Sequence, residues 1–425
     1  MTDTLALHGG TPVIQRELET FRSMGRDEEE AAARVVRSGV LSAYIGAPGE
    51  LFMGGTEVRA FEKKAAEYFG VKHALGVNSW TSGLIAEVGA IDIEPGDEII
   101  TTPWTMSATA MAILHWNAIP VFADIDRATF NIDPESVRSL ITPRTKAIMA
   151  VDIFGQTADV AALRALADEH GLKLLGDTAQ APGAMTDGSH TGTGYDIGGF
   201  SLNYHKHIHC GEGGILVTND DKLAERLALI RNHAESVVKP QTRTDLANMI
   251  GYNFRMGEIE AAIARVQLDK LAERVTDRQR VAAELNQGLA GLEGLTTPKV
   301  ADGASHVYYV YGMALDTEAL GVSRATIAKA LQAEGVPGVA PGYQNLHRLP
   351  IFTEQVAYGT GGFPWTLRPD RNFAYGTGTC PVAEELQDTS FLGLAVCLHQ
   401  LPSEDVAQIV TAFQKVWANM DALKG

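Results

Sequence analysis

A lysine enclosed by apolar and small residues is the part of this sequence best placed to do chemistry. Lys206 lies in the run from Phe200 to Gly214, where aromatic, histidine and glycine residues separate two apolar segments. An ammonium is costly to bury. A lysine held there can shed its proton and attack a carbonyl carbon; the alternative is a lysine on a surface turn. Asp177 closes the apolar run Leu174, Leu175, Gly176, at the kind of position where open α/β sheets present ligands. A carboxylate there can face a protonated heteroaromatic nitrogen. At about 4 Å and an effective dielectric of about 20 such a pair is worth roughly 4 kcal/mol before desolvation. The same aspartate could simply cap a helix. Between Gly76 and Gly83 the small hydroxyl residues Ser79, Thr81 and Ser82 open a helical pattern directly after an apolar run. Helix N-terminal amides and the helix dipole favour a phosphate, although an ordinary Ser/Thr cap uses the same residues. Trp104, just past another apolar run, could stack on a planar ring or pack in the core.

An amine nucleophile, an acid facing a ring nitrogen, a phosphate cradle and a stacking aromatic together suit pyridoxal phosphate, whose protonated ring acts as an electron sink. Two other patterns compete for attention. His205, His207, His209 and Cys210 look like metal ligands. Three ligands on one face of a single strand rarely converge on one ion, and no second Cys/His pair of zinc-finger spacing is present, so no metal is assigned. Gly192 and Gly194 precede a strand pattern rather than a helix, which is the wrong context for a dinucleotide loop.

The elements that must position these residues alternate. Amphipathic helical patterns cover 27–38 and 56–69. Short apolar runs follow at 73–77, 97–101, 119–125, 146–154, 172–176, 198–203 and 214–218, with helical patterns at 82–92, 105–115, 134–140, 158–169 and 220–232 between them. That alternation predicts an α/β fold with a mostly parallel sheet covered on both faces. A long helix is expected over 257–290, then strands at 307–315 and 391–398 with helices at 323–334 and 403–421, a smaller α+β C-terminal domain. The domains read as an N-terminal arm at 1–26, a large cofactor domain at 27–256, and a linking helix with the small domain at 257–425. Residues 355–379 show no periodicity and read as a long loop of the kind that often forms a functional lid.

Composition narrows the function. With 425 residues the chain can build its core without disulfides, and its three scattered cysteines suggest a reducing compartment. A net charge of −17 argues against non-specific nucleic-acid binding. No run of about 18 apolar residues suggests a membrane span, and the first residues do not form a signal peptide. A cytoplasmic location is expected.

In this order and spacing the segments resemble the DegT/DnrJ/EryC1/StrS aminotransferases, the sugar aminotransferase family, from about residue 8 to the C-terminus. The stretches beginning at Pro120, Asn131, Ile141, Gly251 and Leu346 carry the resemblance further. It implies the type I pyridoxal phosphate aminotransferase fold with a large seven-stranded sheet. It also implies that Lys206 is the Schiff-base lysine and shuttles protons between Cα of the amino donor and C4′ of the cofactor. Asp177 would pair with the ring nitrogen, Gln180 lie near the ring oxygen and Trp104 stack on the ring. Thr81, Ser82 and Ser201 would bind the phosphate. Asn253 would reach the cofactor phosphate of a neighbouring subunit, implying a homodimer with shared sites, and His347 and Arg348 would border the substrate pocket. Two positions depart from the family pattern: Asp152 stands where many relatives have histidine, and Trp80 where glycine is frequent. The resemblance implies transfer of an amino group from L-glutamate or L-glutamine to a keto sugar or ketocyclitol. Within the family the alternatives are a dehydratase, against which Lys206 argues, and an aromatising synthase. Outside catalysis, the same scaffold could serve as a regulatory protein.

Overall fold

The computed structural model describes residues 4–238 and 246–424. Seven strands form the main sheet: β1 (His73–Val77), β2 (Glu98–Thr101), β3 (Ile119–Phe122), β4 (Thr145–Val151), β5 (Lys173–Asp177), β6 (Ile197–Ser201) and β7 (Gly214–Thr218). Their order is β1-β7-β6-β5-β4-β2-β3. Pairings from β3 through to β6 are parallel, and β7 runs antiparallel to both its neighbours. The near-continuous apolar runs follow from burial on both faces. Successive residues supply opposite cores. Ile100, Ile148 and Leu174 join Val137 of α5 (Pro134–Leu140) and Leu163 of α6 (Val160–His170). Ile99, Met149 and Leu175 join Leu84 of α3 (Trp80–Ala90) and Leu227 of α7 (Asp221–Arg231).

The N-terminal helices α1 (Arg26–Ser38) and α2 (Thr56–Phe69) pack on α8 (Glu258–Leu289), a helix of 32 residues. Its far end meets α10 (Ser403–Ala418). There a second sheet forms from β8 (Leu295–Thr296), β9 (Tyr311–Leu315), β10 (Val339–Pro341) and β11 (Phe391–Leu394), all antiparallel in the order β8-β9-β11-β10. Ile327 and Leu331 of α9 (Arg324–Ala333), with Phe413 of α10, cover Met313 and Leu392 of this sheet. The expected α/β architecture with its smaller α+β unit is therefore present.

Some expected boundaries move for local reasons. The strand expected over 307–315 starts only at Tyr311, because Tyr308 adopts a left-handed backbone with φ of 52°. The helix expected over 105–115, α4 (Ala108–His115), starts late because residues 102–107 form a turn in which the Thr102 hydroxyl accepts a hydrogen bond from Trp104 N. The aperiodic segment 355–379 covers a sheet edge. Strand β3 is the edge strand, and its outward carbonyls at Pro120 and Phe122 would otherwise be free. Tyr375 Oη donates to Pro120 O at 2.7 Å, and Cys380 Sγ lies 3.7 Å from Phe122 O. Pro120 itself leaves no outward N–H on that edge. Arg368 and Arg371 both pair with the fully buried Glu98 at the start of β2, and Thr142 Oγ1 donates to it at 2.8 Å. Among the described residues no helix is long and apolar enough to cross a membrane.

Glu98 thus joins the 355–379 segment to the sheet. Breaking a buried pair by removing one partner leaves uncompensated charge. Glu98→Gln is expected to cost about 3 kcal/mol, read as a lower urea midpoint. An unchanged midpoint would mean that the two arginines do not anchor the segment.

Candidate active site

Parallel strands bring their C-terminal ends to one edge, and the residues singled out by chemistry gather there. Asp177 ends β5, with Val151 of β4 and Gly199 of β6 beside it in register. Val77 ends β1 and leads into α3, and Ser201 ends β6 ahead of the loop that carries Lys206. A cavity of about 190 Å³ opens between them, lined among others by Ser79, Thr81, Met106, Asp177, Gln180 and Lys206. A larger hollow of about 590 Å³ lies elsewhere, against α7. It is mostly apolar, and its His73 and Asp221 are already paired at 2.6 Å. Convergent polar groups mark the smaller cavity as the site.

Asp177 is buried, and both of its oxygens are held. Oδ1 accepts from Trp80 Nε1 at 2.8 Å and from Ala179 N at 3.3 Å; Oδ2 accepts from Thr109 Oγ1 at 2.6 Å. No helix follows it, so it caps none. Lys206 is 8% exposed, and among the described residues no carboxylate lies within ion-pair distance of it. Burial pulls its ammonium down to about 8, against the opposing pull of Asp177. Its Nζ sits 4.1 Å from the centre of the Tyr309 ring. The α3 N-terminus forms a third wall. There Ser79 Oγ accepts from Ser82 N at 3.1 Å and lies 2.9 Å from Ser82 Oγ. The first amides of a helix have no partner within it, so this wall offers donors to an anion. Ser201 lines the same cavity, its Oγ accepting from Asn203 N at 3.2 Å. Gln180 is fixed by two bonds: Oε1 accepts from Phe154 N at 2.8 Å, and Nε2 donates to Tyr343 Oη at 3.2 Å.

Other residues fall elsewhere. Trp104 is fully buried, packs against Phe391 at 5.2 Å and Tyr343 at 5.8 Å, and does not line the cavity. This segment lines the cavity instead with Thr105, Met106 and Ala108, of which Met106 is 57% exposed. His347 is fully buried and pairs with Glu384 at 2.9 Å, while Arg348 grips Glu384 and both oxygens of Asp388. Burial opposes the Glu384 charge, but the Gly378 and Cys380 amides with His347 and Arg348 hold its carboxyl down to about 2. Neither residue lines the cavity; they lock residues 378–388 together. Asn253 is exposed beside the end of β1, where its backbone oxygen accepts from Asn78 Nδ2 at 3.3 Å. The histidines diverge to separate partners: His205 to Tyr309, His207 to the Val307 carbonyl and His209 to Gly211 N.

Sequence reading missed Trp80 and Thr109 as the groups that hold Asp177. The signal was a set of glycines, one in the same helix and two on distant strands. A Cβ on Gly199 would come within 2.3 Å of the Trp80 ring, one on Gly83 within 2.7 Å, and one on Gly214 within 2.9 Å of Trp80 Cα. The two family departures are thus both built in. Asp152 is fully buried and accepts from Ala158 N at 2.8 Å, Tyr195 Oη at 2.7 Å and Thr191 Oγ1 at 2.8 Å, while its own amide donates to Asp177 O at 3.1 Å. Burial, partly offset by these donors, pushes its carboxyl up to about 6. Glu87 is buried behind Asp177, and burial lifts its carboxyl well above the usual range.

The donor set fits pyridoxal phosphate: a held carboxylate for the ring nitrogen, a buried unpaired amine for the carbonyl carbon, and a helix N-terminus for the phosphate. Comparison with known proteins agrees. The model of the DegT/DnrJ/EryC1/StrS aminotransferase family matches residues 44–413. The spore coat polysaccharide biosynthesis protein SpsC of Bacillus subtilis is 34% identical over 86% of this chain and 92% of its own length. The L-glutamine:2-deoxy-scyllo-inosose aminotransferase of Streptoalloteichus tenebrarius is 36% identical over 81% of this chain and 82% of its own. The crystal structure of an aminotransferase from Psychrobacter cryohalolentis superposes with a TM-score of 0.79 at 29% identity, covering 95% of this chain and 100% of that one.

The raised Asp152 carboxyl has a thermodynamic consequence. The folded protein keeps this proton to higher pH than the unfolded chain does, so stability falls as pH rises from about 4 to about 6. Unfolding free energies from urea melts of wild type and Asp152→Asn should differ increasingly across that window, by up to about 3 kcal/mol, with wild type losing stability. A constant difference would show that the carboxyl is not displaced.

Proposed function

The chain belongs to the DegT/DnrJ/EryC1/StrS aminotransferase family, and from that premise we propose that it moves an amino group from L-glutamate or L-glutamine to a keto sugar or ketocyclitol in two alternating half-reactions. It is a pyridoxal phosphate-dependent aminotransferase. The amino-transfer chemistry is supported by the buried Lys206 amine facing a cavity that also holds Asp177, with no bond between the two.

Pyridoxal phosphate, when bound, supplies an electron-accepting ring that stabilises negative charge at the reacting carbon. Each residue then has a task. Asp177, oriented by Trp80 and Thr109, holds a proton on the ring nitrogen. Ser79, Thr81 and Ser201, which line the cavity, would hold the phosphate at the α3 N-terminus, with the buried Ser82 bonded behind them to Ser79, and Gln180 would face the ring oxygen. Lys206 Nζ takes the proton from Cα of the amino donor and returns one to the carbon of the acceptor, a role suited to an amine with a proton affinity brought down to about 8. Met106 lies over the cavity mouth in the place expected of an aromatic. The names of relatives support the acceptor class: one is a scyllo-inosose aminotransferase, another a GDP-perosamine synthase from Caulobacter vibrioides.

The protein also works as a homodimer with shared sites. Asn253 is exposed and bridges to Asn232, whose Nδ2 donates to the Ile45 carbonyl at 3.2 Å, and the Ile45 and Ile250 side chains are open to water. Such a patch fits a subunit interface, from which Asn253 would reach the phosphate of the partner's cofactor.

Three measurements test this. Incubated with a donor alone, the loaded enzyme should release one keto acid per site. Lys206→Ala should reduce full turnover by at least about 10³-fold. No keto acid from either donor would end the transamination reading. Mixing inactive Lys206→Ala with inactive Asn253→Ala subunits should restore activity, because one site of each hybrid dimer is intact. Failure to complement after subunit exchange would place Asn253 outside the shared site.

A further inference from the structure

We infer that Tyr309 and His205 form a dock that holds the Lys206 side chain in the cavity, with both acting as positioning residues for that amine. Three consecutive residues of the lysine loop meet one short stretch of C-terminal chain. His205 Nδ1 and Tyr309 Oη are 2.7 Å apart, Lys206 Nζ lies 4.1 Å from the Tyr309 ring centre, and His207 Nε2 is 2.7 Å from the Val307 carbonyl oxygen. The docking stretch is itself fixed to the end of β4. Val307 N donates to Gly155 O at 2.9 Å and Val310 N to Phe154 O at 3.3 Å. Gly155 has φ of 105°, and a Cβ there would come within 2.8 Å of Val307 Cγ2. The sheet end, the docking stretch and the lysine loop therefore position one another.

Burial pushes the Tyr309 phenol up and brings the His205 imidazole down to about 4, so both are neutral near pH 7. With His205 in its Nε2–H tautomer, the phenol donates to Nδ1. That bond fixes the ring plane and enriches its face, against which an ammonium is attracted. The titratable groups around Lys206 are Asp177 from β5, His205 and His207 from its own loop, and Tyr309 and Cys397 from the C-terminal unit. Glu212 lies beyond His205, and Arg278 of α8 beyond His207 and Cys397. The Tyr309 face is the contact among these that can steady the charged amine without neutralising it. A long side chain that detaches during each half-reaction would otherwise explore many rotamers. The ring gives it one resting place.

The proposal rests on Lys206 being the reacting amine, and its test separates the two. Cofactor-free, full-length protein is acylated with acetic anhydride across a pH series, and labelling of Lys206 is read by peptide mass spectrometry. The wild-type midpoint should fall near about 8. Tyr309→Met, which keeps an apolar filler and removes the ring, should lower it by about 0.5–1.5 units. Tyr309→Phe keeps the volume and should lower it less. His205→Ala should match Tyr309→Phe and add nothing in the Tyr309→Phe background. Circular dichroism melting checks that each variant is folded. Wild-type midpoints in both Tyr309 variants would overturn the dock, and a His205→Ala effect that persists without the hydroxyl would overturn the tether. A wild-type midpoint at the ordinary lysine value would instead remove Lys206 as the poised amine, leaving the dock without a purpose.

Discussion

Asp177 and Lys206 share one small cavity and do not pair, and the rest of the site depends on that separation. Left to themselves, a buried carboxylate and a buried amine in one cavity would form an ion pair. Here the carboxylate is already satisfied by Trp80, Thr109 and the Ala179 amide. The amine rests against an aromatic face instead of an acid. Each group is thereby presented to a ligand, one with a fixed orientation and the other with a reduced hold on its proton.

The fold makes this separation possible by supplying the two groups from different strand ends. Asp177 is set by β5, deep between two parallel neighbours, while Lys206 comes from the loop that turns the chain from β6 into the reversed β7. The indole that holds Asp177 enters from α3, and there is room for it because Gly199 and Gly214 of the sheet carry no side chain. The C-terminal unit contributes Tyr309 and Tyr343, which fix Lys206 and Gln180. Neither half of the chain completes the site alone.

Much of this was legible in the sequence where a single physical rule decides the outcome. Apolar runs between turn residues gave the seven strands to within a few residues, and a lysine between two such runs pointed to burial or to a surface turn, of which the structure has the first. What stayed hidden depended on contacts across space. A tryptophan past a strand looks the same whether it faces a ligand or the core; the turn at 102–107 buries Trp104 and turns Met106 outward. Trp80 read only as a departure from a frequent glycine, because its partner is 97 positions away and the glycines that admit it are scattered. The aperiodic 355–379 segment read as a lid, yet its arginines and tyrosine bind Glu98 and the open edge of β3. His347 and Arg348 looked free to meet a substrate until the acids 36 to 40 residues further on were brought beside them.

The most direct test of the central claim is to reduce the cofactor-loaded protein with borohydride and locate the added mass by peptide sequencing. The account predicts one modified residue, Lys206, with labelling lost in Lys206→Ala. Cofactor mass on another lysine, or a protein that takes up no pyridoxal phosphate, would contradict it.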